Sequence, residues 1–143
     1  MTLFEFVKVM EKIASIQPNI NEIVPGDVYL LNSKKDAEFS VFSWQHRQHQ
    51  ELSDVPDVRL YSFTLFYIDR ETQDKSNILE AQSTGFEVLS NIIKTIVEEL
   101  SIEIYGNIIY QPFEQRFSQE CAGIYANVTF LVPINCICPE EYI

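Results

Sequence analysis

The segment Val58–Ile68, VRLYSFTLFYI, limits the fold more than any other part of the chain. Almost every position is apolar or aromatic, so neither face of this strand suits water. It belongs in the middle of a sheet, covered on both faces by helices or by a neighbouring subunit.

Two amphipathic helices are available to cover it. Residues 3–16 carry apolar side chains at Leu3, Phe6, Val7, Met10, Ile13 and Ala14, three and four apart. Thr2 with Glu5 forms a capping-box pattern, and Pro18 closes the segment. A longer helix starts at Ser76 and runs to about Leu100, with Ile78, Leu79, Phe86, Leu89, Ile92, Ile93, Ile96, Val97 and Leu100 at helical spacing. Gly85 interrupts it at a cost of about 1 kcal/mol relative to alanine. Close packing of the helix on the sheet at that point is the expected reason.

The remaining strands read as Asp27–Leu31 after the Pro25-Gly26 turn, the alternating Glu38–His46, then Glu103–Tyr110 and Ile124–Val132. Asn32–Asp36 reads as a turn, Gln48–Asp57 as a polar loop and Asp69–Lys75 as a charged loop. Between the last two strands lies a polar arm, Phe113–Glu120, and Cys121-Ala122-Gly123 turns the chain back. The prediction is a single α+β domain over 1–143, ordered αβββαββ. A protruding arm falls at about 111–123, and a C-terminal extension at 134–143 runs over the surface. The first three strands form a meander, the last two pair, and the long helix crosses one face of a mostly antiparallel sheet.

Charge narrows the function. The formal net charge is −11 and the acid excess is spread along the chain. Lys34-Lys35 is the one basic doublet, so tight or sequence-reading binding to phosphate backbones is not expected. A negatively lined channel can still let a duplex slide without sticking. The N-terminus lacks a basic region and an apolar run of signal length, and no stretch is long enough to span a membrane; a soluble protein made in a cytoplasm is expected.

No motif carries strong chemistry. His46 and His49 are the only histidines; three apart, they could ligate a metal on a helix but would point to opposite faces of a strand. Cys136-Ile137-Cys138 lacks the further ligands of a zinc site, and with Cys121 makes an odd number of cysteines, expected to be free thiols. Asp54 with Asp57 and Glu98 with Glu99 are carboxylate pairs that nothing singles out. The four glycines build no phosphate-cradling loop, and no serine sits in a nucleophile elbow. Tyr61, Phe63 and Tyr67 could stack bases, but such modules surround their aromatics with basic residues, so core or interface packing is expected. No catalytic, metal or cofactor residue is assigned, and the chain is not expected to be an enzyme.

The order helix, three strands, helix, two strands is similar to that of bacteriophage tail-terminator and related neck-completion proteins. The stretch Pro112-Phe113-Glu114-Gln115-Arg116-Phe117, followed by Cys121-Ala122-Gly123-Ile124-Tyr125-Ala126-Asn127-Val128, also resembles the C-terminal half of small tail or neck proteins of phages infecting Bacteroides-like hosts, the crAss-like group included. The resemblance implies a virion subunit that forms a homo-oligomeric ring, of six or twelve copies, between the portal or connector and the tail, with genomic DNA passing through its lumen unbound. It brings no catalytic residues. Within the arm, Phe113, Arg116 and Phe117 are the expected interface anchors, since aromatic and arginine side chains dominate interface energetics. Two rival readings remain: an acidic adaptor or inhibitor binding a basic host or viral partner, and an enzyme with an unrecognised carboxylate site.

Overall fold

The computed structural model describes residues 1–24, 38–70, 76–114 and 121–142. The expected strand Asp27–Leu31, the turn Asn32–Asp36 and part of the charged loop, residues 71–75, lie outside these. The elements in order are α1 (Leu3–Ser15), β1 (Glu22–Val24), β2 (Val41–Leu52), β3 (Val55–Arg70), α2 (Ile78–Leu100), β4 (Glu103–Ile104), β5 (Ile109–Glu114) and β6 (Cys121–Pro133), then a short 3-10 turn at Glu140–Tyr142. The protein is α+β, and its described residues place two helices on a mostly antiparallel six-stranded sheet.

The sheet runs β1-β2-β3-β6-β4, and β5 also pairs with β6. β3 is central, as its apolar sequence requires, with β2 antiparallel on one side and β6 on the other. Its alternate residues face opposite ways. Tyr61, Phe63, Leu65 and Tyr67 join Phe42, Val128 and Phe130 beneath the helices. Phe66 and Ile68 join Val24, Val41, Phe113 and Cys121 in a smaller cluster on the other face.

α1 packs on the sheet through Phe6, Val9, Met10 and Ile13, all fully buried. The Phe6 ring lies 4.9 Å from that of Phe130, 5.6 Å from Phe63 and 5.7 Å from Tyr61. Thr2 caps the helix as expected, its Oγ1 accepting from the Glu5 N–H at 3.2 Å, and its hydroxyl donates to the Glu5 carboxylate at 3.0 Å. α2 crosses the same face through Leu89, Ile92, Ile93 and Ile96. A Cβ at Gly85 would meet the Tyr67 ring at 2.6 Å and Ile124 at 2.8 Å, so the helix touches the sheet there.

Several expectations need correction. Gln48–Asp57 is not a loop: β2 runs on to Leu52 and β3 starts at Val55, so most of it is hairpin. β1, Glu22–Val24, is a strand that the sequence does not announce, and it pairs parallel with β2. The strand expected over Glu103–Tyr110 is two strands, separated where Gly106 takes a positive φ of 78°. The N-cap of α2 is Asn77, one residue beyond Ser76, and its side chain donates to the Arg70 carbonyl at 2.9 Å instead of capping. The C-terminal extension covers the end of the core, where Tyr142 is buried and Cys136 and Cys138 pack on the main cluster.

Candidate functional site

β2 and β3 continue to pair past the point where β6 stops. β6 reaches β3 only from Val58 onward, whereas β2 pairs down to Leu52 opposite Val55. Ser53 and Asp54 turn the ribbon, the serine hydroxyl donating to the Asp54 carboxylate at 2.8 Å. Residues 47–57 are exposed except for half-buried Leu52, and Val55 near the tip is 45% exposed. A free two-stranded hairpin is marginal in water. Here it is tied to the sheet at its root, where the Asp57 carbonyl accepts from the Ile134 N–H at 2.8 Å. Arg59 and Glu51 add an ion pair at 3.6 Å across the strands, worth little at such exposure. The ribbon offers backbone edges and mixed polar and apolar side chains on both faces, which suits contact with another protein surface. Asp54 and Asp57 belong to it.

The histidines sit at the root of the ribbon, and the sequence parity for them is reversed. The β2–β3 register shifts between His46 and Gln48. A bulge adds one residue, so positions three apart return to the same face. The two imidazoles stack with centroids 5.3 Å apart and planes 10° from parallel, and His46 also lies 5.6 Å from the Phe63 ring. Lone pairs lie in the ring plane, so stacked rings do not aim them at one point between them. Among the described residues no group of three or more His, Cys, Asp or Glu is placed to hold a metal ion.

His46 Nε2 is buried with no hydrogen-bond partner. Burial, then the neighbouring His49, hold its pKa below the ordinary 6.5, with a hydrogen bond to the Gln48 backbone pulling the other way. The folded state therefore favours the neutral ring. This contribution to stability is fully present above pH 6.5 and is lost as pH falls from there toward the folded-state value. His46→Phe keeps a ring against Phe63 and does not titrate. In urea unfolding, the stability of wild type relative to this variant is expected to fall between about pH 7 and pH 5; a constant difference would contradict the assignment.

The predicted arm residues are placed unevenly. Phe113 is only 8% exposed and packs inside the subunit, its ring 6.4 Å from both Phe66 and Tyr125. Arg116 and Phe117 lie outside the described residues. Gln111–Glu114 and Cys121–Gly123 are strand residues of β5 and β6, so the chain does not turn at Cys121-Ala122-Gly123 as expected.

The remaining candidates separate from one another. Tyr61, Phe63 and Tyr67 are buried under the helices and are closed to stacking bases. Tyr67 hydroxyl and Ser40 Oγ share a buried hydrogen bond of 2.8 Å. Cys121 is buried at the far face of the sheet. Cys136 Sγ donates to the Leu100 carbonyl at 3.6 Å, and burial raises its pKa, which favours the thiol. Glu99 is pushed above the ordinary carboxylate range by desolvation, then by Glu141 and Glu98. Phe63 meets the His46 ring and Cys121 packs in one cluster with Phe113, but these contacts do not bring the histidines and the arm into one site.

No protein-family model and no curated protein matches the chain. Among the described residues no helix is long and apolar enough to cross a membrane. Sequence reasoning missed the ribbon because its two strands, exposed on both faces, show no apolar alternation; the available signal was the length of polar chain beside an unusually apolar strand.

Proposed function

We propose that the chain is a structural virion protein that forms a homo-oligomeric ring at the phage head–tail junction, joining connector and tail around the DNA passage. The observation that carries this reading is the ribbon of residues 47–57, a paired arm exposed on both faces and standing beyond β6. In a ring each subunit lays such an arm on the next, and identical heterologous contacts close the circle. The net charge of −11 suits a lumen that DNA must pass without sticking. The sequence resemblance to neck and tail-terminator proteins points the same way. The reading assigns the chain no catalytic step. Its partners are its own copies, the portal or connector, and the tail; its place is the virion, after synthesis in the host cytoplasm.

A photo-crosslinking amino acid at Val55 tests it. In assembled particles, irradiation is expected to give products at multiples of the 16.6 kDa chain. Particles that contain the protein but yield no product with a second copy would remove the ribbon from the subunit contact.

The acidic excess also favours a second reading, an adaptor or inhibitor that binds a basic partner. That protein would be monomeric, absent from particles, and strongly salt-sensitive in binding.

A further inference from the structure

The outer side of α1 and the chain after β6 enclose a groove of about 550 Å³. Cys136, Cys138 and buried Tyr142 line it. Phe4 and Ile137 stand on it 71% and 84% exposed. Single exposed apolar side chains are ordinary. Two large ones on the same groove make a continuous apolar surface of the kind that marks interaction sites.

Acidic groups outnumber cations around this groove, although the Met1 ammonium lies near Cys136 and donates to the Ile134 carbonyl at 2.7 Å. Glu5 lines it. Glu99 lies close enough to Glu141 and Tyr142 for their charges to interact, with Glu98 close to Glu99. Among the described residues no Lys or Arg pairs with Glu98, Glu99 or Glu141. Lys8, the one cation lining the groove among the described residues, sits 5.2 Å over the Phe4 ring and 4.0 Å from Glu11.

We propose that this groove docks a segment of a partner protein that bears an apolar side chain flanked by lysine or arginine. The apolar side chain takes the place of water between Phe4 and Ile137. The flanking cations meet the carboxylates of Glu5, Glu99 and Glu141, none of which is ion-paired with a Lys or Arg among the described residues. Charge complementarity of this kind speeds encounter and rejects wrong partners more than it adds affinity. Nucleic-acid phosphates would be turned away by the same rim. The proposal stands apart from the ring reading, which rests on the ribbon, so either can fail alone.

The probe is a fluorescein-labelled synthetic peptide with a central leucine–phenylalanine pair and two arginines on each side, followed by anisotropy with the full chain. Saturable binding is expected, weakened about tenfold when salt rises from about 50 to 300 mM. Ile137→Asp and Phe4→Ser, both at exposed positions, are each expected to lower the affinity about tenfold with melting temperature unchanged. Glu141→Lys should weaken binding and flatten its salt dependence. The proposal is overturned by absence of saturable binding, by equal binding to both apolar-site variants, or by equal binding of a control peptide with glutamates in place of the arginines. If the peptide does not bind and the same variants abolish self-association, the occupant is a second copy and the partner assignment fails.

Discussion

Gly123→Ala is expected to destabilise the protein by about 3 kcal/mol, at the upper end for overpacking a well-filled interior. A Cβ at this position would fall on the Tyr67 carbonyl oxygen of β3, well inside any allowed contact, and 3.2 Å from Phe113 Cζ. The obstacle is backbone in the central strand pair, opposite Ile68, and cannot rotate away. Against a total stability of about 5–15 kcal/mol for a domain of this kind, the loss is large. Gly85→Ala is the informative comparison. There the obstacles are the Tyr67 ring and an Ile124 methyl, which can shift, and alanine returns about 1 kcal/mol of helix propensity. Urea unfolding should therefore rank Gly123→Ala well below Gly85→Ala. Equal stabilities would mean that β3 and β6 do not approach as closely as described.

Phe6→Ala is expected to cost about 3–5 kcal/mol, the range for removing a buried phenylalanine. Its ring fills the space between α1 and the sheet and touches rings from both β3 and β6. No neighbour can collapse into that space without moving the helix. Phe4→Ala, two residues earlier on the same helix, should change stability by less than about 0.5 kcal/mol because that ring is exposed. Unfolding midpoints in urea, with the slope held constant, distinguish the two. Similar losses would mean that α1 docks through a different face.

The contrast between these phenylalanines shows how far the sequence could be followed. Phe6, Met10 and Ile13 declare a helix face, and Val58–Ile68 declares a central strand, because burial leaves a period in the side chains. Gly85 as a point of helix–sheet contact was legible for the same reason. The ribbon was not, since strands wet on both faces carry no period. β1 is three residues long, too short to show one, and its parallel partner is set by tertiary packing. The histidine faces were misjudged because one bulged residue in β2 reverses the parity of everything beyond it. Phe113 looked like an exposed anchor in a polar arm, yet a glycine opposite it makes room for its ring inside the subunit. The apolar groove brings together Phe4 and Ile137, far apart in the chain, and no local pattern links them.

The measurement that bears most directly on a ring at the head–tail junction is immunogold electron microscopy of purified particles with an antibody to this chain. The account predicts gold at the junction between head and tail, and none along the tail or over the capsid. Particles free of the protein, or gold elsewhere on them, would contradict it and bring the acidic adaptor forward.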